Sequence, residues 1–161
     1  MTSKFTFFWE SESPFSNWYQ SEFTCNGVTY NCSEQYMMHQ KALLFNDTEV
    51  AELIMEQTSP RKQKMLGREV RGFDNNLWMS KCEEIMVTGL CHKFGQNTEL
   101  EEILRATGDT IIVEASPYDK IWGIGMKMDD PQATDPTQWQ GKNLLGKVLM
   151  EVREIFYESD S

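Results

Sequence analysis

The sequence predicts a mainly helical α+β fold, a single domain over residues 1–161 with a small β-sheet. Three observations lead there. Short β-branched or aromatic runs occur at Phe5 to Trp9, Gly27 to Asn31 and Thr110 to Ala115; longer segments with helical spacing of apolar residues lie between and after them; and the chain has no internal repeat, low-complexity tract or long linker. A chain of 161 residues buries roughly 68–70% of the surface its unfolded form exposes, enough for one sizeable core.

Taken in order, "FTFFW" reads as a buried strand, "SESPFSNWY" as a loop, and the alternating "GVTYN" as a second short strand. The first helix is expected to begin near Asn31 and run through "EQYMMHQKALLF". Asn46 or Asp47 opens a second, "TEVAELIMEQT", and Ser59-Pro60 starts a third, where proline's missing N–H does no harm. Asp74 can cap "NNLWMSKCEEIMVTGLCHKF". Thr98 followed by Glu101 forms a capping box ahead of "ELEEILRATG", which stops at Gly108. "TIIVEA" is a short buried strand, and Pro117 ends it because proline cannot continue a sheet ladder. "DPQATDPTQW" is turn-rich and exposed, and "NLLGKVLMEVREIFYE" is a last amphipathic helix.

Composition narrows the function classes. The net charge of −10 argues against broad, non-specific affinity for nucleic acid, because phosphate contacts supply most of that binding. The charge is uneven: residues 61–100 carry seven Lys and Arg against five Asp and Glu, and the basic stretch "PRKQKMLGREVRG" lies inside an otherwise acidic chain. Cys25, Cys32, Cys82 and Cys91 show no CxxC pair, and Cys82, Cys91 and His92 have the wrong spacing for zinc, so reduced thiols in a soluble cytoplasmic or nuclear protein are expected. No apolar run approaches the ~20 residues that a membrane helix needs, and no membrane partner is expected. The absence of a phosphate-loop motif and of a dinucleotide-binding glycine pattern argues against nucleoside triphosphatases and dehydrogenases.

Two stretches carry unexplained chemistry. At about 100° per residue, Glu34, Met38, Lys41 and Phe45 fall within about 60° of one another on the first helix. Two ionisable side chains thus point where the helix should bury its apolar face. A charge there is costly unless it is paired or faces a polar cleft, which suggests a pocket wall. The structural alternatives are that Glu34 is the partner of an Asn31 cap and that Lys41 snorkels to water. The second stretch, "EASPYDKIWGIG", leaves a strand end as a loop bearing Asp119 and Trp122, with Gly123 and Gly125 able to let a ligand approach the main chain.

Six motifs in order then resemble the NADAR domain, or YbiA-like, family: "FSNWY", "SEQYMMHQKA", "GREVRGFD" with Trp78 shortly after, "KFGQN", "EASPYDKIWGIG" and "WQGKNLLG". A proline that the family often carries around "WYQSEF" is missing here. The resemblance implies a YbiA-like fold and cleavage of N-glycosidic bonds, with two substrate classes: ADP-ribose joined to guanine, in a nucleoside or a single-stranded nucleic acid, and the small-molecule ribosylamino pyrimidine phosphates of riboflavin synthesis. A non-catalytic ADP-ribose-binding module is the rival from another class. No cofactor and no metal is implied.

On that resemblance, Lys41 is the expected amine nucleophile, able to form a Schiff base with the opened ribose, and Glu34 the acid or base beside it. Asp119 is the expected second carboxylate. Trp78 and Trp122 offer flat faces to a base or ribose, and Asn17, Asn97 and Asn143 neutral hydrogen-bonding groups. Arg68 suits a pyrophosphate because its fork binds bidentately. Trp18, Ser116 and Gly123 complete the expected binding set. His39, on the helix side opposite Lys41, and His92 are expected to be structural.

Overall fold

The computed structural model describes residues 4–160, which contain six α-helices, four short strands and one turn of 3-10 helix. They fall into two compact units, one built from the described residues of Met1–Ser16 and Thr98–Ser161, the other from Asn17–Asn97.

In the first unit, β1 (Phe5–Phe8) and β4 (Ile111–Glu114) pair in parallel, with Phe5 opposite Ile111 and Phe8 opposite Glu114. Val113, Ala115, Ile124, Met126 and Ala133 form a buried cluster against which Phe5, Phe7, Ile111 and Trp139 pack. The helix α5 (Thr98–Ala106) ends short of Gly108, whose φ of 65° explains the glycine. The last helix, α6 (Leu144–Ser159), buries Leu145, Val148, Leu149 and Val152. "DPQATDPTQW" is largely exposed, as expected, but contributes the 3-10 turn Pro136–Gln138, capped by Asp135, and buries Ala133.

In the second unit, β2 (Phe23–Cys25) and β3 (Val28–Tyr30) make an antiparallel hairpin closed by Asn26 and Gly27, both at positive φ. Asn-Gly with both residues left-handed is the turn that matches strand twist. The helices α1 (Ser33–Leu44), α2 (Thr48–Glu56), α3 (Pro60–Gly67) and α4 (Asn75–Gly95) follow. Asp47 caps α2 through Val50 N–H, and Asp74 caps α4 through the N–H groups of Asn76 and Leu77.

Two expectations are corrected. The residues before "GVTYN" form a further strand, β2, which pairs with β3 across the Asn26-Gly27 hairpin signal. The cap of α1 is Cys32, not Asn31, and has no side-chain cap bond. Asn31 is drawn off by tertiary partners: its Nδ2 donates to Thr58 O, its Oδ1 accepts from Gln63, and its N–H donates to Gln35 Oε1. The expected pairing of Glu34 with an Asn31 cap therefore does not form.

Candidate functional site

In the Asn17–Asn97 unit the site grows from α1. Glu34 stands in its first turn at 4% exposure, and its backbone N–H donates to Asn17 O at 2.9 Å. The indole Nε1–H of Trp18 donates to Glu34 Oε1 at 2.9 Å, so the loop before the hairpin aims this carboxylate. Asn17 Oδ1 and Ser33 Oγ, both buried, have no hydrogen-bond partner among the described residues.

Lys41 lies two turns further along the same helix and is half-buried. Burial holds its ammonium below the usual lysine range, Glu34 acts the other way, and the positive charge of Arg68 reinforces the fall. Arg68 itself is exposed at the end of α3. The Lys41 Nζ sits 4.5 Å from the centroid of the Phe73 ring, which packs edge-on against Phe45 at 5.3 Å. The unit therefore brings Asn17, Trp18, Glu34, Lys41 and Arg68 into one electrostatic neighbourhood. A carboxylate and an amine of lowered basicity can divide proton transfer and nucleophilic attack between them.

Two other expected residues of this unit carry structural work. Trp78 is 7% exposed, so packing uses most of the ring expected to face a base. Asn97 Nδ2 donates to Lys93 O and Glu22 O, closing the end of α4. His39 accepts or donates at Tyr30 Oη over 2.8 Å, and burial lowers its pKa, in keeping with a structural histidine.

Sequence reasoning missed two residues. Lys93 is fully buried, with Nζ 5.1 Å from the Phe94 ring centroid and 5.8 Å from that of Tyr19, and desolvation pulls its pKa down to about 7. Its place in "KFGQN" was the only signal. Phe73 lies in "GREVRGFD", and nothing local to the sequence shows that it meets Lys41.

In the other unit the expected residues form a loop framework. Ser116 Oγ accepts from the N–H groups of Tyr118 and Asp119, and Asp119 Oδ1 accepts from those of Ile121 and Trp122, both at 2.9 Å. One oxygen of Asp119 thus shapes the loop that was expected to present it. A Cβ on Gly123 would lie 3.0 Å from Asp119 O and Glu114 O, so the glycine permits close backbone packing. Trp122 is 9% exposed. Asn143 adopts a left-handed conformation ahead of α6 and ties it to β4, accepting from Glu114 N–H and donating to Ile112 O, each at 2.9 Å.

The fold and these motifs define an α+β domain of the NADAR class. Residues 7–157 match the model of the NADAR domain, and the chain belongs to that family. It is 40% identical to Protein irg-1 of Caenorhabditis elegans over 95% of this chain and 80% of that one. It is 46% identical to N-glycosidase R617 of Acanthamoeba polyphaga mimivirus over 87% of this chain and 85% of that one. The NMR structure of the Escherichia coli protein YbiA superposes with a TM-score of 0.81 at 30% identity, over 99% of this chain and 89% of the other. The fold is thus the YbiA fold.

Proposed function

We propose that the protein is an N-glycosidase that releases ADP-ribose from guanine in a nucleoside or a single-stranded nucleic acid. The single observation that carries the mechanism is α1 itself, which holds the buried carboxylate of Glu34 and, two turns on, the amine of Lys41 with lowered basicity. Membership of a family with relatives named N-glycosidases supports the bond class.

In the proposed reaction the neutral Lys41 amine attacks the anomeric carbon of the ribose. The bond from that carbon to the guanine nitrogen breaks, and a proton from Glu34 goes to the departing nitrogen. Loss of the ring oxygen from the same carbon leaves a Schiff base to Lys41, and the ring oxygen takes a proton. Water then adds, with Glu34 as base, and the carbinolamine collapses to free ADP-ribose and the lysine amine. Arg68 holds the pyrophosphate by charge-assisted hydrogen bonds, and Asn17 Oδ1 accepts from a ribose hydroxyl. A duplex guanine cannot reach such a pocket without leaving the stack, which is why a nucleoside or single strand is the proposed substrate.

The test is turnover of ADP-ribosylated guanosine and of a ribosylaminouracil phosphate by the wild type and Lys41→Ala, with borohydride added to trap an imine. Release of ADP-ribose by the wild type, abolished in Lys41→Ala and accompanied by a borohydride-dependent mass adduct on the wild type, is the expected result. Turnover of the pyrimidine alone would replace the substrate, and tight ADP-ribose binding without turnover of either compound would make the protein a reader.

A further inference from the structure

The segment Arg71-Gly72-Phe73 lies between α3 and α4. It is held with unusual care for an exposed loop. The Asp47 carboxylate, whose side chain is almost fully buried, accepts from Arg71 N–H at 2.8 Å and from the guanidinium at 2.7 and 3.1 Å. The guanidinium also reaches Glu49 at 3.2 Å. Gly72 follows at a φ of 75°, a left-handed turn that an L side chain rarely adopts. The product of this clamp is the position of Phe73. The residue is 42% exposed, so burial does not account for its aromatic character, and its ring lies over Lys41 Nζ.

We propose that Phe73 is the positioning residue for Lys41: its ring face stores the lysine as an ammonium ion in the resting protein, and the amine must leave the ring, giving its proton to solvent, before it can attack. The ring's negative face favours the charged amine and has no such attraction for the neutral one. The charged groups that face Lys41 are Glu34 on its own helix, which also favours the ammonium, and Arg68 at the end of α3, which disfavours it together with burial. Arg71, on the Phe73 segment itself, is turned onto Asp47 and Glu49. Phe73 thus opposes the two influences that lower the basicity of Lys41, protecting a half-buried reactive amine from stray electrophiles with no substrate present. A flat substrate group entering beside the exposed ring would compete for the same face and free the amine.

The catalytic consequence rests on Lys41 being the nucleophile, whereas the effect on its basicity does not, and the experiment separates the two. Lys41 is titrated by carbon-detected NMR in lysine-labelled wild type, Phe73→Leu and Phe73→Tyr, the amide spectra confirming that each variant is folded. Leucine keeps an apolar cover and removes the ring; tyrosine keeps the ring. Phe73→Leu is expected to lower the Lys41 titration midpoint by roughly half a pH unit, and Phe73→Tyr to restore it. The acid limb of the kcat/KM profile on ADP-ribosylated guanosine should move down with it. An unchanged or raised midpoint in folded Phe73→Leu overturns the proposal. A lowered midpoint with an unmoved acid limb supports the ring contact and overturns the nucleophile role of Lys41.

Discussion

At the scale of single residues, the fold places two lysines in opposite circumstances. Lys41 keeps contact with water and an aromatic ring, while Lys93 is buried completely and its pKa falls to about 7. The unfolded chain binds a proton on Lys93 up to the usual lysine range near 10.4, whereas the folded chain releases it at about 7. Between those values the unfolded state holds more protons, so this residue makes stability rise with pH. Below about pH 7 both states are protonated and the cost of burying the charge is fully present. Urea unfolding of wild type and Lys93→Met at pH 6 and pH 9 checks this: the difference in midpoint should move in favour of the methionine variant as pH falls, and a pH-independent difference would contradict it. The burial of Lys93 could not be read from the sequence, because lysine at a helix end is ordinarily a solvated cation that favours the helix dipole.

At the scale of elements, most helix boundaries follow from local chemistry. Asp47 and Asp74 cap where their spacing indicates, and Pro60 stands in the first turn of α3. The failures are equally local. Asn31 has the right side chain for a cap but is drawn to Thr58, Gln63 and Gln35, partners that only the packed unit supplies. The helix α3 also converts the charge asymmetry of the chain into a surface. Arg61, Lys64 and Arg68 fall within about 60° on its circumference, and neither Arg61 nor Lys64 makes an ion pair among the described residues. If a polymer enters the site past Arg68, this stripe is the natural path for its phosphates. The double variant Arg61→Glu/Lys64→Glu should therefore raise KM for an ADP-ribosylated single-stranded oligonucleotide and flatten its salt dependence, leaving KM for ADP-ribosylated guanosine within about twofold. Equal losses on both substrates would exclude a strand contact there.

At the scale of the whole molecule, the described residues contain no helix long and apolar enough to cross a membrane and no group of three or more His, Cys, Asp and Glu placed to hold a metal ion. The proposed mechanism uses only an amine, a carboxylate and water. Turnover should be unaffected by prolonged dialysis against EDTA; loss of activity that zinc or magnesium restores would overturn the mechanism. The acidic net charge of −10 fits weak affinity for duplex DNA and leaves the basic stripe of α3 as a local exception.

The sequence by itself determined the α+β class, the family, the helices, and the placement of Glu34 and Lys41 on one side of α1, because helical periodicity, capping chemistry and motif order are local properties of the chain. Tertiary structure decided which side chains hold the frame and which are turned onto Glu34 and Lys41. Asp119, Asn97 and Asn143 have the chemistry of binding groups, yet their hydrogen bonds go to backbone atoms, while Trp18 is turned onto Glu34 and Phe73 onto Lys41. Such assignments depend on contacts between residues far apart in the chain, 32 positions for Lys41 with Phe73 and 75 for Asn97 with Glu22, which the pattern of neighbours along the chain does not encode.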